Sequence, residues 1–117
     1  MSVRDVGVTL LQIVDFTDEV AALVAKHVRQ DVEDDLEFRR ALERCIELIG
    51  EAATRLPAEW RGEHAEIPWR QIIAMRNVLV HAYDVVLPDV LWSVAATDIP
   101  RVRSSIALLI NQHSNDE

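Results

Sequence analysis

Apolar residues recur at helical spacing from about Asp5 to Val28, where Leu10, Ile13, Val14, Val20, Leu23, Val24 and Val28 are interleaved with Asp15, Asp18 and Glu19. That period belongs to a helix with one buried face. The acidic run Asp31, Glu33, Asp34 and Asp35 suits the start of a second helix, where carboxylates cap free amides and meet the positive end of the dipole. This helix is predicted to reach about Arg55, with Phe38, Ala41, Leu42, Cys45, Leu48, Ile49 and Ala52 inward and Arg39, Arg40, Glu43, Arg44, Glu47 and Glu51 outward. Gly50 costs this helix roughly 1 kcal/mol relative to alanine, so its presence predicts close approach of another helix.

Pro57 ends the second helix, and a polar connection with room for a short helical turn leads to Ile67. Pro68 restarts the pattern at a first helical position, where its missing amide does no harm. In the third helix Trp69, Ile72, Met75 and Leu79 fall within about 120° of one another and form a core stripe. It is predicted to end between His81 and Asp84. Pro88 opens a fourth helix that packs Val90, Leu91, Trp92 and Val94. Asp98-Ile99-Pro100 must kink or break it, because proline lacks a donor and its ring clashes with the preceding turn. The helix resumes over Arg101 to Gln112 with Val102, Ile106, Leu109 and Ile110 inward. The expected architecture is all-α: an antiparallel bundle of four main helices forming one domain over residues 1–117, the last helix kinked or broken near Pro100.

Composition agrees with that outline. Only Gly 3 and Pro 4 punctuate 117 residues, which argues against a turn-rich β protein. No apolar run approaches the ~18 residues of a membrane span, and the first residues lack the pattern of a signal peptide. Cys45 has no partner for an internal disulfide and fits a reducing compartment, so a cytoplasmic protein is expected. The net charge of −8 is unevenly spread: residues 1–37 carry −6, residues 38–83 carry +1 and residues 84–117 carry −3. All the basic residues of the middle third are arginine. Arginine binds phosphate through a planar fork, so a local phosphate site fits within an acidic envelope.

No glycine-rich phosphate loop, G-x-S-x-G elbow or C-x-x-C pair is present. His27, His64, His81 and His113 lie far apart without metal-ligand spacing, so no metal and no cofactor is expected. Cys45, on an apolar helix face, reads as core. The segment Arg76-Asn77-Val78-Leu79-Val80-His81-Ala82-Tyr83 differs, because it crowds four chemically able side chains near one helix end. On a helical wheel Asn77 lies about 100° from Arg76, His81 about 140°, and Tyr83 about 20° on the other side, so the four can face a common cleft. Histidine moves a proton to or from a ribose hydroxyl near neutral pH, and arginine stabilises charge developing on a phosphate. Together they suit metal-free RNA scission. A purely structural reading also accounts for them: His81 satisfies the last helix carbonyls, Arg76 pairs with Glu47 or Glu51, and Tyr83 is a wedge.

The R-x-x-x-x-H pattern with a polar residue after the arginine resembles the signature of HEPN ribonucleases. The segments Ile49-Gly50-Glu51-Ala52-Ala53, Ile67-Pro68-Trp69-Arg70-Gln71-Ile72-Ile73, Met75-Arg76-Asn77, His81-Ala82-Tyr83 and Asp98-Ile99-Pro100 look like the HepT-like toxin family. That resemblance implies a helical bundle that dimerises so that two motif copies line one cleft, acting as a metal-independent endoribonuclease toxin on RNA. It also implies a minimal nucleotidyltransferase antitoxin that transfers AMP to the motif tyrosine. By position, Arg76 and His81 would be catalytic, Asn77 supporting and Tyr83 the modified hydroxyl. Arg40 and Arg44 are candidates to widen the phosphate track. The alternative function is a non-catalytic helical module that docks the nucleotidyltransferase.

Overall fold

The computed structural model describes residues 2–116, all of its regular structure being helical. Helix α1 (Val3–Ala25) opens on a capping box in which the Ser2 hydroxyl accepts from the Asp5 amide and the Asp5 carboxylate accepts from the Ser2 amide. A single turn, α2 (Asp31–Asp34), leads into α3 (Leu36–Arg55). The predicted acidic cap is divided between these two starts: Asp35 accepts from the Phe38 amide at the head of α3, whereas Asp31 accepts from the Val28 amide before α2. Because α1 stops at Ala25, Val28 falls in the connection and is exposed, contrary to its expected place on the buried face.

The short α4 (Ala58–Glu63) occupies the polar connection, and α5 (Trp69–His81) follows Pro68. Ile67 and Trp69 are both buried, and the Trp69 indole N–H donates to the His64 carbonyl at 2.9 Å. This anchor sets where α5 begins. A 3-10 turn (Tyr83–Val85) and α6 (Pro88–Ser93) come next. The irregularity expected at Pro100 is a π-helical turn (Val94–Asp98), which joins α6 to α7 (Ile99–Asp116). The Ile99 amide donates to the Val94 carbonyl, one residue further back than in an α-helix. This wider turn absorbs the ring and missing donor of Pro100.

Helix α5 packs on α3, α3 on α1, and α1 on α7. The molecule measures 47 × 27 × 19 Å, so the bundle is about two helix diameters thick. Leu10, Ile13, Leu42, Ile49, Leu91 and Ile106 are fully buried at its centre. The predicted stripe of α3 is rotated slightly: Ile46 and Ala53 join the core, while Ala41, Cys45 and Leu48 are only partly covered. Val90 is exposed rather than packed, because Leu91 is the side chain of α6 that turns inward.

Gly50 sits where α5 crosses α3. A β-carbon there would lie 2.2 Å from the Arg76 Cβ and 3.0 Å from the Ile72 carbonyl oxygen. Those atoms belong to the stem and backbone of α5, so the helix itself would have to move. Gly50→Ala is expected to lose on the order of 1–3 kcal/mol of stability to overpacking, despite a helix-propensity gain of about 1 kcal/mol. A urea titration checks this, and an unchanged or raised midpoint would contradict the close crossing.

Candidate functional site

The same crossing that excludes a side chain at residue 50 places Arg76 against the next residue of α3. The Arg76 Nε donates to the Glu51 carboxylate at 2.9 Å and its Nη2 lies 2.8 Å from the same oxygen. The remaining arm, Nη1, donates to the Asn77 amide oxygen at 2.9 Å. Arg76 is thus held in a defined direction by Glu51 on one side and Asn77 on the other, with a quarter of its side chain exposed. Of the two acidic partners that the structural reading allowed, Glu51 is the one engaged. A held guanidinium can stabilise phosphate charge without first losing rotamer freedom.

His81 is the last residue of α5 and is exposed. Its imidazole makes no hydrogen bond or ion pair among the described residues. The other described histidine rings are engaged: His27 stacks on Phe38 at 3.9 Å and contacts the Leu23 carbonyl at 2.8 Å, and His64 packs on Trp60 at 4.2 Å. The side chain of His113 lies outside the described residues. Asn77 bonds Arg76 rather than His81, so the imidazole is left open to solvent and to a ligand.

Tyr83 is not on the α5 wheel. The helix ends when Ala82 adopts φ −150°, ψ 44°, and Tyr83 begins the 3-10 turn. Its ring lies beneath the Arg40 guanidinium, 5.2 Å from carbon to centroid, and the residue is 51% exposed. Arg40 is oriented by Glu43, which also pairs with Arg39. Glu43, expected on the outer face, is buried, because two flanking guanidinium groups satisfy its carboxylate. Arg39 in turn donates to the Val86 carbonyl at 2.8 Å, fastening the segment after α5 to α3. Arg40, Glu43, Arg44, Glu47, Leu79 and Tyr83 enclose a cleft of about 380 Å³. Asn77 borders a different groove, between α4 and α5, from the cleft that Tyr83 lines.

Arg44 pairs with Glu47 at 2.7 Å. Both arginines proposed for a phosphate track therefore already face carboxylates. The Cys45 thiol is pushed up from its usual range, chiefly by burial and then by Glu19, which disfavours a nucleophilic role. No group of three or more metal-ligating side chains occurs among the described residues, and no described helix is long and apolar enough to cross a membrane.

Residues 13–109 match the family described as ribonuclease HepT-like. The chain belongs to that family. A Thermococcus cleftensis protein named "Probable ribonuclease HepT" is 33% identical over 106 residues, covering 91% of this chain and 90% of its own. A protein of Caldanaerobacter subterraneus subsp. tengcongensis with a provisional RNase designation is 32% identical over 83 residues, 71% of this chain and 74% of its own. One from Methanocaldococcus jannaschii, also provisionally designated an RNase, is 26% identical over 109 residues and is covered along its whole length. No solved structure matches.

The fold gives physical content to the segments that resemble HepT-like proteins. In Ile49 to Ala53, Ile49, Ala52 and Ala53 fill the core, Gly50 admits α5 and Glu51 holds Arg76. Ile67 and Trp69 anchor the head of α5. Sequence reasoning placed Glu51 on an outer face and gave it only a structural part, and it did not single out Arg61 or Arg70. The adjacency of Gly50 and Glu51 is the signal for the first, since a helix admitted at one residue must meet the next.

Proposed function

We propose that this HepT-like chain is a metal-independent endoribonuclease in which His81 moves the proton of a ribose hydroxyl and Arg76 stabilises the charge that develops on the adjacent phosphate. The observation that carries this reading is the pairing of a pre-oriented Arg76 with an unengaged His81 on the same helix end. The family match and the RNase designations of the relatives support it. As the 2′-oxygen attacks phosphorus and the bond to the 5′-oxygen breaks, one histidine accepts the 2′ proton and a second group must protonate the leaving oxygen. A second copy of the motif supplies that group. The chain therefore acts as one domain within a dimer, a reading supported by the exposed apolar residues Val80, Val85, Leu87 and Val90 on either side of Tyr83 in sequence.

In this reading the protein is a cytoplasmic toxin silenced by a nucleotidyltransferase that attaches AMP to Tyr83. A non-catalytic docking module would not need the open His81. Purified protein incubated with total RNA is expected to cut it equally well with and without excess EDTA, and to scatter light as a dimer at micromolar concentration. Loss of cleavage on chelation, restored by a divalent ion, would overturn the metal-free route.

A further inference from the structure

The arginines of the middle third divide sharply by what they face. Arg39, Arg40, Arg44 and Arg76 pair with carboxylates, and Arg55 donates to Gln12. Arg61 and Arg70 differ: Arg61 uses only its Nε, on the Leu56 carbonyl at 3.2 Å, and Arg70 has no hydrogen bond or ion pair among the described residues. Both line the open groove of about 780 Å³ between α4 and α5. Its wall carries no carboxylate, although the chain as a whole has 20 acidic residues against 12 basic ones. Pro68 and Ile73 contribute an apolar floor, and Gln71 and Asn77 contribute amides.

Helical geometry connects this groove to the motif. Arg70, Asn77 and His81 fall within an arc of about 40° on α5, and Arg70 stands about 16 Å from His81 along the axis. We propose that this groove is the track along which single-stranded RNA reaches His81, with Arg61 and Arg70 each holding a backbone phosphate and the apolar floor receiving bases. The inference deepens the ribonuclease reading and rests on it. Local charge complementarity selects the occupant: two guanidinium groups that pair with no carboxylate, on a groove lining that carries none, attract a polyanion despite the acidic envelope and despite Glu66 beside Pro68 and Gln71 at the groove's end.

The test uses the full chain with His81→Ala to prevent cutting, and a labelled oligouridine of roughly a dozen nucleotides. The added pair Arg61→Gln and Arg70→Gln is expected to weaken binding on the order of tenfold near 0.1 M salt. The slope of log affinity against log salt should flatten by about 0.7 for each arginine. Arginine-to-lysine exchanges at both positions should restore the slope. Gly62→Glu provides an independent variant: a β-carbon at residue 62 meets nothing within 4 Å, and the change puts a carboxylate into the groove without loss of helix propensity, so it too should weaken binding. Unchanged affinity and slope in all these variants would overturn the track. Cleavage by the His81-containing chain is measured in parallel. If that chain cuts RNA but the groove variants bind normally, the track fails and the ribonuclease reading stands. If it binds through the groove without cutting, the track stands and the ribonuclease reading fails. Normal RNA binding with loss of a co-purifying nucleotidyltransferase would reassign the groove to a protein and overturn the proposal.

Discussion

His81→Ala is expected to lower RNA cleavage by about 10²-fold to 10⁴-fold, the range for loss of a positioned general acid or base, with no change in helical content. The imidazole projects from the end of α5 into solvent and supports no contact of the core, so its removal leaves the bundle intact. Arg76→Ala is expected to cost activity by about 10²-fold to 10³-fold through loss of charge stabilisation at the phosphate. This variant also strands the Glu51 carboxylate, which is 42% exposed and can therefore be rehydrated. Growth inhibition on expression, cleavage of purified RNA and a circular dichroism spectrum together check both variants. Retained cleavage by either folded protein would remove that side chain from the mechanism.

Tyr83→Phe is expected to keep ribonuclease activity and to escape silencing entirely when the protein is incubated with the cognate nucleotidyltransferase and ATP. In the proposed transfer step the phenol oxygen would attack the α-phosphorus of ATP, the bond to the β-phosphate oxygen would break, and pyrophosphate would leave as the phenol proton passes to solvent or a base. Half-exposure of Tyr83 leaves its edge open to this attack, and the Arg40 guanidinium over the ring supplies positive charge near the entering phosphate. On the proposed reading, an added nucleotide would place bulk and a negative phosphate two residues from His81, and exclusion of RNA would follow from steric and electrostatic repulsion. Intact-mass spectra should show one AMP on the parent chain and none on the variant. A variant that is still labelled and silenced would place the acceptor elsewhere. A parent that gains no mass would make inhibition a matter of complex formation alone.

Element existence was legible because amphipathic helices write a period of 3.6 into the chain and prolines mark where it resets. Pro68 and Pro88 marked helix starts, and Gly50 announced a close crossing. Boundaries and faces were less legible, for reasons specific to particular residues. Val28 keeps the period of α1 after the helix has ended, and Glu43 breaks the binary pattern because two arginines brought against it compensate a charge that burial would otherwise penalise.

The sequence by itself determined the helical class, the places where the chain must bend, and the presence of an arginine, an asparagine, a histidine and a tyrosine around the end of α5. These are local properties, carried by periodicity, backbone chemistry and residue type. Only the tertiary structure decided which charges pair. It set Arg76 on Glu51, Arg40 on Glu43 and Arg44 on Glu47, took Tyr83 off the helix and under Arg40, and left His81, Arg61 and Arg70 unengaged by any carboxylate. An ion pair between helices depends on the distance and rotation at which they cross, and those are set by packing at Gly50 and Trp69, far along the chain from some of the side chains whose charge they settle.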